Sequence, residues 1–303
     1  MKTNFSKKTG KVRDIFDLGQ TLLLVSTDRL SAFDRYICDI PDKGVALNQL
    51  SAWWFKKTAH IAPNHLLTVP YAQAMHVKKC RVLPIEVVVR EYLTGSTNTS
   101  LWTLYNKGER NIFGNRLPDK LKKNSKLSQP ILTPTSKDQK HDRPLQREEM
   151  TSIPNLTPTL WTHIEAIALA LFKFASHLLR SKGLLLVDTK FEFGLDENNE
   201  LCLIDELFTS DSSRYWEVQD WQTALAEKRE PQSYDKEILR LWYCQQGDPY
   251  HVKELPEVPS DLMETVSARY RTLYEIITSQ TLPAKENTLC VELLASLATN
   301  PFP

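Results

Sequence analysis

The chain has 303 residues, 41% hydrophobic and 25% charged, which is enough apolar material for a sizeable core. A formal net charge of +1 gives no global electrostatic case for nucleic acid or a membrane surface, though a small anionic substrate needs only a local basic pocket. The opening MKTNFSKKTGKVRDIF lacks the apolar core of a signal peptide, and no run reaches the roughly 18 apolar residues of a membrane span. Five dispersed cysteines (Cys38, Cys80, Cys202, Cys244 and Cys290) include no CxxC pair and read as reduced thiols of a cytoplasmic protein.

In chain order, KVRDIFDL, the pair Gly19 and Gln20, and TLLLVST predict a hairpin with a two-residue turn. VALNQLSAWWFKKTAHIA has apolar residues at helical spacing and stops before Pro63. VLPIEVVVREYL is a β-branched run that predicts a buried strand. Residues 103–160 are rich in Lys, Asn, Pro and Ser, and 107–126 is markedly basic. Most of this stretch reads as a solvated surface excursion. Thr157, Pro158 and Gly183 bracket a clear helix as cap, first residue and stop. GLLLVDTKFEFGL, a DENN turn and ELCLIDEL predict a second hairpin. Beyond Tyr234 the pattern is helical: DKEILRLWYCQQ, a Ser260-capped helix, and a last helix near 286–298.

The second hairpin carries the chemistry. Strand alternation puts Asp188, Lys190 and Glu192 on one face and Thr189, Phe191 and Phe193 on the other. A turn of two or four residues adds Asp205 to the acidic face and turns Glu206 away, provided no bulge intervenes. Three carboxylates around a lysine call for a partner. Hard Mg²⁺, which shares its sites with phosphates, suits them, and so does a charged sheet face neutralised by arginine. GKVRD places Lys11 and Arg13 on one face of the first hairpin, where a basic fold-over could cover phosphates. There is no GxxxxGK[ST] and no GxGxxG to strengthen that reading.

Together GKVRDIF, STDRLSAFD, IPDKGVALNQLS, LPIEVVVREYLTGS, TPTSKDQKHD, LLVDTKFEFG and LIDELFTSDSSRYW stand in the order seen in the phosphoribosylaminoimidazole-succinocarboxamide synthase (SAICAR synthetase) family, which the chain resembles from Gly10 to Trp216. The resemblance implies an α+β, two-lobed fold akin to kinases and ATP-grasp enzymes, with antiparallel sheets and flanking helices. It divides into 1–93, mostly β and covering ATP, and 94–303, holding the metal hairpin, a basic insert near 103–130 and the C-terminal helices. It implies a purine-biosynthesis ligase that joins carboxyaminoimidazole ribotide (CAIR) to L-aspartate with ATP becoming ADP and phosphate, and Mg²⁺ as cofactor. No nucleic acid or membrane partner is expected, and a monomer is taken ahead of a homo-oligomer.

Roles follow position by position from the resemblance. Lys11, Arg13 and Lys190 would contact ATP phosphates, and Glu86 the adenine or ribose end. Glu192 and Asp205 would hold Mg²⁺, with Asp188 close by. Arg90, Ser96 and Arg214 would hold the 5′-phosphate of CAIR. Ser31 and Asp34 would line the imidazole site, and Lys137 and Asp142 would approach the reacting carboxylate or ATP. Lys190, Asp188, Asp34 and Lys137 form the catalytic set, whereas His141 reads as structural. Lys140 and Ser210 stand where the family often has Gly and Pro. A small-molecule kinase would also suit paired metal acids, but HRD and DFG segments are missing. A non-catalytic nucleotide-binding module would have no use for a second phosphate pocket at Arg90, Ser96 and Arg214.

Overall fold

The computed structural model describes residues 5–286 other than 34, 98, 138–142 and 250, together with 296, 298 and 299. Ser6–Thr9 (β1), Arg13–Asp17 (β2) and Thr21–Ser26 (β3) form an antiparallel meander. β2 and β3 join through the expected two-residue turn, where Leu18 N–H donates to Thr21 O at 3.0 Å. Gly19 sits there at φ 95°, a conformation only glycine adopts without steric cost. Arg29–Ala32 (β4) and Arg35–Asp39 (β5) make a separate ribbon. Lys43–Thr58 (α1) packs against β3 and buries Leu47, Leu50 and Trp54 at intervals of three and four, with Phe55 beside them. Leu66–Tyr71 (β6) and Ala74–Lys78 (β7) complete a five-stranded sheet in the order β1-β2-β3-β7-β6.

Arg81–Tyr92 (β8) opens a second antiparallel sheet. Leu83, Ile85, Val87 and Val89 are buried on one face, while Glu86 and Val88 stand half-buried on the other, as a period of two requires. The described part of the stretch read as a solvated excursion instead forms regular elements. Leu101–Asn106 (α2), the ribbon of Asn111–Ile112 (β9) with Asn115–Arg116 (β10), and Lys126–Leu132 (β11) surround a core of Leu93, Leu101, Tyr105, Ile112, Leu117, Leu127 and Ile131, and Thr135–Ser136 (β12) pairs with β8. These apolar residues follow no single period, so they carry no helix or strand signal, yet they converge on one small core.

Pro158–Ser181 (α3) begins as expected, with the Thr157 hydroxyl accepting from Leu160 N–H at 3.1 Å. By length and composition α3 alone among the described helices could cross a membrane. Its buried stripe of Trp161, Ile164, Ala168, Leu171, Phe172, Ala175 and Leu179 lies in the main core, and the helix packs on the second sheet. That sheet continues with Leu184–Leu195 (β13), Leu201–Ile204 (β14) and Ser213–Glu217 (β15). Its order is β11-β8-β13-β14, with β12 also on β8 and β15 also on β13. Val218–Glu227 (α4), Glu237–Gln246 (α5) and Ser260–Thr278 (α6) follow. Ser260 is the first residue of α6 rather than its cap, because Pro259 holds the cap position. The helix expected near 286–298 falls mostly outside the described residues.

Candidate active site

β13 is the axis of the site. It pairs with β8 so that Asp188 faces Arg90, Lys190 faces Val88 and Glu192 faces Glu86. Paired residues share a face, so Arg90, Asp188, Lys190, Glu86 and Glu192 all project from one side. Phe191 and Phe193 enter the core on the other side, as alternation predicted.

The turn to β14 differs from expectation. Leu195 pairs with Leu201 and Glu192 with Ile204, so the loop has five residues, 196–200. The Asp196 carboxylate organises it by accepting from Asn198 N–H at 2.9 Å and Glu200 N–H at 3.0 Å. In this register, strict alternation would send Asp205 toward the phenylalanines. The strand stops at Ile204, however, and Asp205 turns into the left-handed region at φ 68°. That twist returns its carboxylate to the acidic side and brings Glu206 with it. Arg13, from β2 of the other sheet, bonds Asp205 through one Nη and approaches Glu206 at 3.0 Å through the other. Glu206 therefore does not face away. It is buried at this junction and accepts the Thr209 hydroxyl at 2.5 Å.

Electrostatics follow from that packing. Burial would lower Lys190, but the carboxylates of Glu192, Glu86 and Asp205 outweigh it and hold the ammonium well above the ordinary lysine value. Lys190 Nζ lies 2.8 Å from Glu86 and 2.9 Å from Glu192. Lys137 reaches the second oxygen of Glu192. Burial would raise Asp205, but Arg13 and Lys190 hold it at about 2. Glu206 goes the other way, because burial and the nearby Asp205 and Asp211 outweigh its share of Arg13.

The Asp188 end of β13 forms a second cluster. Arg90 Nη1 lies 3.2 Å from Asp188 and its Nε donates to Thr133 Oγ1 at 2.8 Å. Arg214, opposite Asp188 on β15, is 3.9 Å from that acid and 3.6 Å from Asp235. Gly95 holds φ 106° beside them. A Cβ there would lie 2.5 Å from Ser100 Cβ, so the close turn needs glycine. Ser96 donates its hydroxyl to Glu237 at 2.8 Å. Successive same-face residues of a strand stand about 7 Å apart, so the two clusters are neighbouring rungs of one face.

The structure thus brings together Arg13, Glu86, Lys137, Lys190, Glu192 and Asp205 in one cluster and Arg90, Asp188, Ser96 and Arg214 in the other. Lys11 is exposed in the bend before β2, where Arg29 donates to its carbonyl at 3.4 Å. Ser31 lies half-buried on β4. Asp34, His141 and Asp142 lie outside the described residues. Asp235 and Glu237, missed in the sequence, contact Arg214 and Ser96. Their signal was the Ser-x-Asp-x-Glu run at a helix start, where Asp235 accepts from Ser233 Oγ and Glu237 N–H.

Two charge clusters thus stand on one strand. A model of the family described as SAICAR synthetase matches residues 6–256. The chain belongs to the SAICAR synthetase family. It is 47% identical over 284 residues to a phosphoribosylaminoimidazole-succinocarboxamide synthase of Legionella pneumophila (strain Paris), covering 93% of this chain and 91% of that one. A chloroplastic phosphoribosylaminoimidazole-succinocarboxamide synthase of Arabidopsis thaliana is 48% identical over 273 residues, covering 90% of this chain and 66% of the plant protein. The fold matches the SAICAR-synthase from Saccharomyces cerevisiae complexed with SAICAR at a TM-score of 0.79 and 30% identity, over 94% of this chain and 98% of that one. The α+β architecture of antiparallel sheets with flanking helices is therefore the SAICAR synthase fold.

Proposed function

We propose that the chain condenses the carboxylate of CAIR with the amine of L-aspartate, while ATP becomes ADP and phosphate, as a ligase of purine biosynthesis. The observation that carries this reading is the pair of neighbouring clusters on one face of β13: Lys190 among acids, and two arginines around Asp188. A kinase-like phosphate site accounts for the first cluster. A second anion pocket one rung away suits a phosphorylated co-substrate. Arginine's planar fork matches a phosphate in two hydrogen bonds, so Arg90 and Arg214, with Ser96, would take the 5′-phosphate of CAIR.

A carboxylate resists attack by an amine because oxide is a poor leaving group. Transfer of the ATP γ-phosphoryl to CAIR would give an acyl phosphate, from which phosphate leaves readily as the amine attacks. The task of the site is positioning and charge neutralisation. Lys190 would hold the transferring phosphoryl group, with Arg13, Lys11 and Lys137 at its flanks and Glu86 orienting Lys190. Asp188 would fix the two arginines.

Mg²⁺ fits the donor set. Among the described residues no three His, Cys, Asp or Glu side chains converge as a metal cluster. Glu192 and Asp205 nevertheless supply hard carboxylate oxygens, and Mg²⁺ is commonly held by one or two carboxylates with phosphates and waters filling the rest. When bound it would neutralise charge on the phosphates. Both carboxylates are already paired to Lys190, Lys137 and Arg13, cations that suit the phosphates themselves. We place the enzyme in the cytoplasm and take it as a monomer.

The test is phosphate release with ATP, Mg²⁺, CAIR and L-aspartate, each omitted in turn. Release only when all are present supports the ligase. Release that persists without aspartate would move the reading to an ATPase or kinase.

A further inference from the structure

The basic stretch 107–126 has no part in the site described so far, yet one of its lysines lines a cavity together with Arg214. The cavity, of about 180 Å³, opens on the Arg214 side of the second cluster, beside Gly95; Lys123, Arg269, Glu230 and Glu237, the acceptor of the Ser96 hydroxyl, line it with Arg214, whereas Arg90 lies outside its lining. That volume is the room of roughly six waters, ample for a phosphate group. The Lys123 ammonium is paired with Glu230, on the segment between α4 and α5. Asn124 Nδ2 donates to the other Glu230 oxygen at 3.1 Å.

The backbone beside Lys123 is pinned. Asn124 is buried, and its N–H donates to Leu93 O at 2.7 Å. Its side-chain oxygen accepts the Thr94 hydroxyl at 2.6 Å, and its carbonyl accepts Trp221 Nε1 at 2.9 Å. Lys123 therefore stands on a fixed base next to the Thr94 and Gly95 turn. Among the described residues its head is held by one ion pair, 31% and 40% exposed, and a pair so exposed binds weakly.

We propose that Lys123 is a further phosphate ligand of this pocket, resting on Glu230 and exchanging that carboxylate for the 5′-phosphate of the ribotide. The idea builds on the ligase reading, in which Arg90, Ser96 and Arg214 hold the same group. A phosphate dianion offers more charge and three acceptor oxygens where Glu230 offers one carboxylate, so the exchange favours the substrate. The basic stretch then serves as the pocket's third wall.

The experiment is steady-state kinetics with the ribotide varied. Lys123→Ala should raise the ribotide KM about tenfold, with KM for ATP and aspartate and the saturated kcat near wild type, and Lys123→Arg should recover most of the loss. Glu230→Gln should leave the ribotide KM unchanged or lower it, because it removes a competitor. Inorganic phosphate should inhibit competitively against the ribotide, with a Ki raised by Lys123→Ala in the same ratio. A wild-type ribotide KM in Lys123→Ala, or equal increases in Lys123→Ala and Glu230→Gln, would overturn the proposal, since equal loss marks a merely structural pair. A wild-type protein without aspartate-dependent turnover would instead reject the ligase reading. In that case the shift in melting temperature caused by inorganic phosphate, present in wild type and reduced in Lys123→Ala, still decides whether Lys123 holds phosphate.

Discussion

Arg13 and Asp205 lie 192 positions apart and meet in an ion pair that ties the first sheet to the end of β14. The same guanidinium reaches Glu206 at 3.0 Å, so one side chain holds two acids of the LIDEL segment. The wall proposed for the ATP side thus draws on both ends of the motif series.

Removing that clasp should be costly. Arg13→Ala leaves Glu206 buried without its cation, and breaking a buried pair from one side costs about 3–5 kcal/mol. Asp205 is 28% exposed and regains some water, so about 3 kcal/mol is expected. In a protein of this size that lowers the melting temperature by roughly 5 °C. A shift below about 1 °C in a thermal melt would show that the clasp holds nothing together.

Asp205 and Glu206 should respond differently to neutralisation. Asp205→Asn keeps a residue that tolerates the left-handed backbone but loses a charged oxygen, so activity should fall at least about 100-fold, with a higher Mg²⁺ requirement. Wild-type turnover would sink the metal assignment. Glu206→Gln should be mild in both activity and stability. The reason is not that it faces away, because it does not. Burial already raises its pKa, so a neutral isostere that keeps the Thr209 hydrogen bond relieves as much as it removes. A loss as large as that of Asp205→Asn would show that the Glu206 charge itself is needed.

Arg214→Lys tests the second cluster. Arg214 is spread between Asp188 and Asp235 at 3.9 and 3.6 Å, a fork that lysine cannot reproduce. The ribotide KM should rise about tenfold, with KM for ATP little changed. An increase confined to ATP would move the phosphate pocket elsewhere.

Stability should fall on mild acidification. Burial pushes His65 down to about 3 from an ordinary value of 6.5. Between those two values the unfolded chain binds the proton and the folded chain does not, so stability is lost as pH falls from 6.5 toward 3. The loss is about 2 kcal/mol by pH 5. His76, also lowered by burial, acts in the same direction. Asp205, depressed to about 2, adds a separate loss only below about pH 3.8. Denaturant melts from pH 7.5 to 5 should show the decline in wild type and a flatter profile in His65→Gln. An unchanged slope would assign the effect to His76.

Much of this site is legible in the sequence alone. Alternation along VDTKFEF placed Lys190 among acids and put Phe191 and Phe193 inside, because strand geometry fixes the face of every side chain. Arg90 and Asp188 could be suspected separately, but their pairing depends on the register between β8 and β13, which no local pattern contains. The turn after Leu195 misled for a related reason. Asp196 stabilises a five-residue loop through its own carboxylate, and that adds one residue to the even lengths considered. The correct side for Asp205 emerged only because the left-handed twist cancels the odd loop. The ordering of residues 101–132 was hidden because Leu101, Tyr105, Ile112, Leu117 and Leu127 converge in space without converging in sequence period.

The left-handed backbone at Asp205 also restricts what can ever replace it. Asparagine keeps the twist and forfeits the charge. Glutamate keeps the charge, but its longer side chain cannot settle the twist through a short local hydrogen bond. No single substitution preserves both properties, so position 205 should emerge from a saturation library as a site with one viable occupant. Glu206, on an ordinary backbone one step along, should accept several.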